Sequence, residues 1–321
     1  MGAGRREPPG AEGFYVGAEL GPALIRAGVF DASGRILGKA KRSPKLERGR
    51  TIVLQRVARC MGDAVDECDL PLEAISGACL GIAPVVASDW DAQGATPGAL
   101  QQELAGQWPL PVFVESCDRL AALGLYATDL EAATGLMVAL FCGPELRGHL
   151  LVKGNFPADD AVQPLRAILK AAQEHLLAAL PEPTLCQWSK AELRKAARHR
   201  DPRVRAYGRV LAEQVGIAAG QACQAYPAAR IVLAGGVIDE LREELLPIVL
   251  EAARRSGQEL HTQLTISDLA DNAVLVGGAY CAQHAKFDKR SFSDEAHPRM
   301  NTAMKTWLLV LAFAGFFTHP L

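Results

Sequence analysis

The sequence predicts an α/β protein built from two lobes with a cleft between them. Three observations carry that reading. The first half alternates short apolar strand-like runs with helical periodicity, the second half is rich in long amphipathic helices, and the second half ends strand, helix, strand, helix. A chain of 321 residues, 49% hydrophobic and 22% charged, has the balance of a globular protein that buries a large core without staples. Its length allows about two domains of ordinary size.

The elements follow in order. Residues 1–13 read as a disordered lead-in of Gly, Pro and charge, too short for a helix-turn-helix. Phe14 to Glu19, Ala23 to Phe30 and Arg35 to Lys41 read as three strands joined by tight turns, with Ser33-Gly34 supplying turn chemistry. Arg50 to Asp66 is helical, because Ile52, Val53, Val57, Met61 and Val65 fall on one face. Ile75 to Ile82 and Val112 to Val114 read as strands, and Asp118 to Tyr126 as a helix. Leu136 to Cys142 and Leu150 to Lys153 read as strands around a Gly-containing turn.

Past Asn155 the pattern turns helical. Asp159 to Leu180 is a long amphipathic helix. A second starts at Ser189, with Glu192 completing a capping box, and a third opens on Asp201-Pro202 and runs to about Tyr226. Arg230 to Ala234 is a strand ending in Gly235-Gly236. It is followed by a helix over Asp239 to Ser256, a strand over Leu264 to Ser267 and a closing helix over Ala273 to His284. The expected division is 14–125 for an N-terminal lobe, 126–285 for a C-terminal lobe and 286–321 for a linker and apolar tail.

Composition excludes some functions. The net charge of −2 argues against a general nucleic-acid binder, which needs a basic surface against phosphates. The eight cysteines form no C-x-x-C pair and no zinc pattern, so they read as buried free thiols of a reducing cytosol. No apolar stretch follows Arg5 and Arg6, so the amino terminus does not read as a signal peptide. Trp307 to Phe317 is an unbroken apolar run, shorter than the ~20 residues of a membrane-spanning helix. Three readings of it stay open: a helix packed on the body or on a partner, a gene-model or read-through artefact, and a weak membrane anchor.

Several segments together resemble one family. Gly17 to Asp31, with Gly34-Arg35-Ile36-Leu37-Gly38, resembles a first phosphate hairpin of pattern Asp-x-Gly-Gly-Thr. Leu80-Gly81-Ile82-Ala83-Pro84 resembles a Gly-x-Pro-Gly turn. Pro111 to Glu115 resembles the strand before a catalytic Asn-Asp pair, and Ala121 to Gly124 the helix after it. Ser189 to Gly220 resembles the long helices before an adenosine site, Arg230 to Val237 the glycine strand of that site, and Asp271 to Ala279 a closing helix. In this order, over roughly Phe14 to Ala285, they resemble the ROK family (repressor, open reading frame, kinase). The resemblance implies the actin-like ATPase (ribonuclease H-like) fold, a glucokinase-type ancestry, a homodimer and a cytoplasmic location.

The family's chemical motifs are eroded. A phosphate hairpin needs glycines so that backbone amides close on phosphate oxygens. Here Gly21 survives, Glu19 replaces the family Asp, Pro22 replaces a Gly and has no N–H, and Ala23 replaces the Thr hydroxyl. The second phosphate turn, Gly-Thr-Gly-x-Gly-Gly-Gly in the family, reads Gly143-Pro144-Glu145-Leu146-Arg147-Gly148-His149, so only Gly143 and Gly148 remain. Glu145 would repel a triphosphate, and Arg147 could partly compensate.

A gapless alignment puts Ser116 and Cys117 at the Asn-Asp pair. Asp118 falls one position late, as a shifted candidate base or a helix-start acid. No Glu-x-Gly-His segment and no zinc loop follow. Gly235 and Gly236 are kept, as a nucleotide-approach turn or a helix-positioning turn. The sequence thus points to a pseudokinase that acts by binding a small sugar, a nucleotide or a partner. The alternative is a diverged ATP-dependent kinase of hexoses or N-acetylated amino sugars, with ATP and magnesium as cofactors and no zinc.

Overall fold

The computed structural model describes residues 13–91, 96–129, 135–143, 145–180, 188, 190–227, 229–256 and 264–284. The expectations for the lead-in, for the Ser189 cap, for Cys186 and for the 286–321 tail lie outside those residues.

The first half builds one five-stranded sheet. Strands β1 (Phe14–Leu20), β2 (Ile25–Phe30) and β3 (Ile36–Arg42) form an antiparallel meander, to which β4 (Ile75–Ile82) and β5 (Val112–Ser116) add in parallel, giving the order β3-β2-β1-β4-β5. The second half builds a four-stranded sheet from β6 (Leu136–Cys142), β7 (Leu146–Val152), β8 (Arg230–Ala234) and β9 (Leu264–Ile266), in the order β7-β6-β8-β9.

Helices layer these sheets. Helix α1 (Arg50–Asp66) buries Val53, Leu54, Val57, Cys60 and Met61 against the outer face of the first sheet. Helices α5 (Asp159–Ala179), α7 (Pro202–Ala225) and α9 (Arg242–Arg255) cover the outer face of the second, and α6 (Lys190–Arg198) packs on α7. Helix α7 begins where the sequence signals it: the Asp201 side chain accepts a bond from the Arg203 N–H at 2.9 Å, with Pro202 at the first helical position.

Between the sheets lie α4 (Cys117–Thr128) and α10 (Ala273–His284). Their shared core takes Tyr15, Phe30 and Cys79 from the first sheet and Met137, Ala139, Val232 and Ala234 from the second. The last helix therefore packs on α4, β1 and β4, against the first sheet, although the chain reaches it from the second. Missing side chains permit this closeness. A methyl group at Gly277 would lie 1.7 Å from the Leu120 carbonyl oxygen, and one at Gly124 would lie 2.1 Å from that of Ala273.

One gap is filled and two local expectations change. Helices α2 (Pro84–Asp91) and α3 (Pro97–Ala105) fill the stretch between β4 and β5, each with proline at its first position. Thr96 caps α3 by accepting from the Ala99 N–H at 3.2 Å. Strand β7 starts at Leu146 rather than Leu150, because β6 offers it a full antiparallel partner from Leu136 to Cys142. The helix expected over Asp239 to Ser256 is broken at Leu241 into α8 (Gly236–Glu240) and α9.

Candidate functional site

The parallel strands bring their carboxyl ends to one edge. Leu20, Ile82 and Ser116 are register partners across β1, β4 and β5, so Gly21, Ala83 and the start of α4 lie side by side. In the second sheet Cys142 pairs with Leu146, and Phe141 with Ala234, which places the Gly143–Glu145 turn beside Gly235. A crevice outside such carboxyl ends is where open α/β sheets bind ligands.

Alternation along β7 decides which side chains face α4. Leu146, Gly148 and Leu150 turn toward α5, whereas Arg147, His149 and Leu151 turn toward the layer between the sheets. Gly148 is thus a strand residue and not part of a turn. A methyl there would meet Leu140 Cδ2 at 2.9 Å and Leu169 Cδ1 at 3.0 Å, so its lack of a side chain serves packing against α5.

At the head of α4, Ser116 is the cap: its Oγ accepts from the Arg119 N–H at 3.3 Å. Cys117 follows, 7% exposed, with its sulfur toward Gly81. Burial pushes its thiol well above the usual range, and the charges of Glu19 and Asp118 push it further against the pull of Arg26. Asp118 sits in the first turn. Its Oδ2 accepts from Arg147 Nη1 at 2.6 Å, and the same guanidinium binds Glu145 Oε2 through Nη2 at 2.9 Å. Arg147, a candidate phosphate ligand by sequence, joins α4 to the second sheet.

Three residues that sequence reasoning passed over complete this corner. The Arg119 guanidinium lies over the Phe156 ring at 4.1 Å and beside Glu115 at 3.3 Å. His149 sits edge-on to Phe141 and Phe156, with centroid distances of 6.2 and 5.7 Å. Burial depresses its pKa to about 4; Asp118 pulls upward, and Arg119, Arg147 and Arg166 push down. The period-two alternation of Arg147, His149 and Leu151 was the signal available for His149. Nothing local marked Arg119 or Phe156.

The positions that the resemblance assigns to phosphate make other bonds. Glu19 pairs with Arg26 directly across the β1–β2 ladder. The Gly21 N–H closes its own turn on the Leu24 carbonyl at 3.0 Å, and Pro22 has no N–H to offer. Gly143 keeps its place at the β6–β7 turn, where its carbonyl accepts from the Tyr207 hydroxyl at 3.0 Å. By the pattern of the resembled family these residues fit a magnesium–triphosphate group poorly: Glu19, at the family Asp position, is paired with Arg26, and Glu145 stands in the second turn. Among the described residues no group of His, Cys, Asp and Glu is arranged to hold a metal ion.

The second glycine turn is shaped differently. Gly235 has φ 118° and Gly236 φ 40°, both in the region that favours glycine. A methyl at Gly235 would lie 3.2 Å from the Cys142 carbonyl oxygen. The Gly235 N–H donates to Asp239 Oδ1 at 2.9 Å, which ties the turn to α8.

No family model matches the chain, and no curated protein does. Solved structures do. The chain is similar to a ROK hexokinase from Thermus thermophilus, with 21% identity and a TM-score of 0.59, covering 83% of this chain and 96% of that one. It is similar to a ROK glucokinase from Streptomyces griseus in complex with glucose and AMPPNP, with 20% identity and a TM-score of 0.53, covering 84% and 99%. It is also similar to a ROK family transcriptional regulator, a homologue of the E. coli MLC protein, with 16% identity and a TM-score of 0.57, covering 85% and 78%. The chain therefore has the two-sheet, actin-like ATPase fold of the ROK sugar kinases.

Proposed function

We propose that this chain is a diverged ROK homologue of the pseudokinase kind, binding a small sugar, a nucleotide or a partner protein at the crevice without transferring a phosphoryl group. The observation that carries this reading is the Asp118–Arg147 pair at 2.6 Å. A general base must be free to accept the sugar hydroxyl proton. Asp118 already accepts from a guanidinium, and Cys117, at the family base position, is buried with its thiol held protonated. Loss of a positioned base costs typically ~10²–10⁴-fold in rate.

The fold is shared by kinases and by a transcriptional regulator, so the architecture supports ligand sensing as readily as catalysis. The proposal places the protein in the cytoplasm as a homodimer. Among the described residues no helix is long and apolar enough to cross a membrane.

An ATP-dependent assay across hexoses and N-acetylated amino sugars tests the reading. Turnover above ~1 s⁻¹, the low end of ordinary kinases, would sink it in favour of a diverged carbohydrate kinase. A thermal-shift screen with ATP, ADP and the same sugars tests binding without assuming turnover; a ligand at a hundred times its Kd should stabilise by about 2.7 kcal/mol.

A further inference from the structure

Charge is divided unevenly along the chain. Cys60 to Asp118 carries ten acidic residues and no Lys, Arg or His, whereas Lys190 to Arg209 holds eight Lys and Arg against two acids. The fold gathers part of each run at the end of a helix.

The basic run forms the elbow between α6 and α7. The chain turns there through Arg200, at φ 56°, with the Asp201 N–H donating to the Ala196 carbonyl at 3.0 Å. Lys195, Arg198, Arg200, Arg203, Arg205 and Arg209 are all exposed. The acids close by are already taken. Glu240 pairs with Arg198 at 2.9 Å, Asp201 with Arg203 at 2.8 Å, and Glu244 is shared by Arg205 at 2.7 Å and Arg209 at 3.4 Å. Among the described residues Lys195 and Arg200 make no ion pair, so the elbow keeps a positive surplus. It lies at the amino end of α7, where the helix dipole adds to that surplus and favours anions.

The acidic run closes α1. Asp66 stands in its last turn and Glu67 at its cap, followed by Asp69 and Glu73, and all four are exposed. Asp63 finds a cation in Arg42 at 2.6 Å; among the described residues the other four make no ion pair. The last turn of α1 has no basic residue, and carboxylates at a helix carboxyl end oppose its dipole. Each patch therefore has the wrong sign for its own helix end and the right sign for the other patch. The two helices cover the outer faces of different sheets, and no ion pair among the described residues joins the patches.

We propose that a second copy of this chain joins these patches: the α6–α7 elbow of one protomer seats the acidic carboxyl end of α1 of its partner. The contact is electrostatic, so salt screens it. It goes beyond the crevice reading, since neither patch includes a crevice residue and the contact needs no ligand.

Sedimentation of the full chain at about 0.05 M and about 1 M salt tests the proposal, because the Debye length falls to about 3 Å at the higher value. Association should be stronger at low salt by roughly tenfold or more. Lys195→Glu with Arg200→Glu should weaken low-salt association by roughly tenfold, Asp66→Lys with Glu67→Lys by as much, and all four changes together should restore it. Lys170→Glu with Arg254→Glu shifts the net charge as the elbow pair does, at exposed positions elsewhere, and should leave association unchanged. Circular dichroism confirms that each variant is folded. A chain that stays monomeric at low salt overturns the proposal, and so does association that ignores salt. A folded fourfold variant that associates no better than either double variant overturns it as well.

Discussion

The two glycine turns at the crevice have met different fates. At Gly143 the neighbouring positions carry charge: Arg147 pairs with both Glu145 and Asp118, and His149 fills the layer behind them. At Gly235 the backbone keeps the conformation that only glycine adopts easily, and Asp239 braces it. The difference separates two demands. A phosphate turn needs open amides and empty space, and side chains can fill that space without harming the fold. A strand-to-helix turn with positive φ is part of the fold itself, so changing it strains the backbone whatever the chemistry.

The largest expected effect sharpens the first half of that contrast. His149 has a folded pKa of about 4 against an ordinary value of 6.5. Between those values the unfolded chain binds a proton that the folded one does not. Stability should be full above pH 6.5 and fall as the pH drops toward 4, by on the order of 3 kcal/mol, and level off below. Urea unfolding at several pH values measures this. In His149→Phe that slope should vanish; an unchanged slope would show that other groups cause it.

The second half of the contrast can be broken by paired substitutions. Gly235→Ala forces a side chain into φ 118° and close to the Cys142 carbonyl, and should cost about 1–3 kcal/mol. Gly143→Ala meets nothing nearer than 3.6 Å and should stay within about 0.5 kcal/mol. Equal costs in urea denaturation would end the distinction drawn between the turns.

A smaller effect is expected at the Asp118–Arg147 pair. Both side chains are partly exposed, at 29% and 39%, so the double-mutant cycle of Asp118→Asn and Arg147→Ala should give a coupling of about 0.5–1 kcal/mol. A coupling near zero would mean that the carboxylate is free, and would favour the diverged-kinase reading.

Much of what the pseudokinase proposal rests on was legible residue by residue. Pro22 cannot donate, Ala23 has no hydroxyl, and Cys117 stands where the resemblance places an Asp; these are properties of single residues. The consequence of Asp118 falling one position late was also legible, since one residue turns a helical side chain by about 100°. That Ser116 would take the cap, leaving Asp118 in the first turn, needed the helix start to be placed. The pairing with Arg147 lies 29 residues away along the chain and could not be read from local pattern.

By itself the sequence determined the order of elements and several of their bounds. Arg50–Asp66, Ile75–Ile82, Leu136–Cys142, Arg230–Ala234 and Ala273–His284 are spans that periodicity and turn residues mark locally. Only the tertiary structure decided that the last helix returns to the first sheet and that Arg147 pairs with Asp118. The reason is physical. Periodicity says which face of an element is apolar but not which apolar face it meets, and that choice is made by close packing across glycines far apart in the chain.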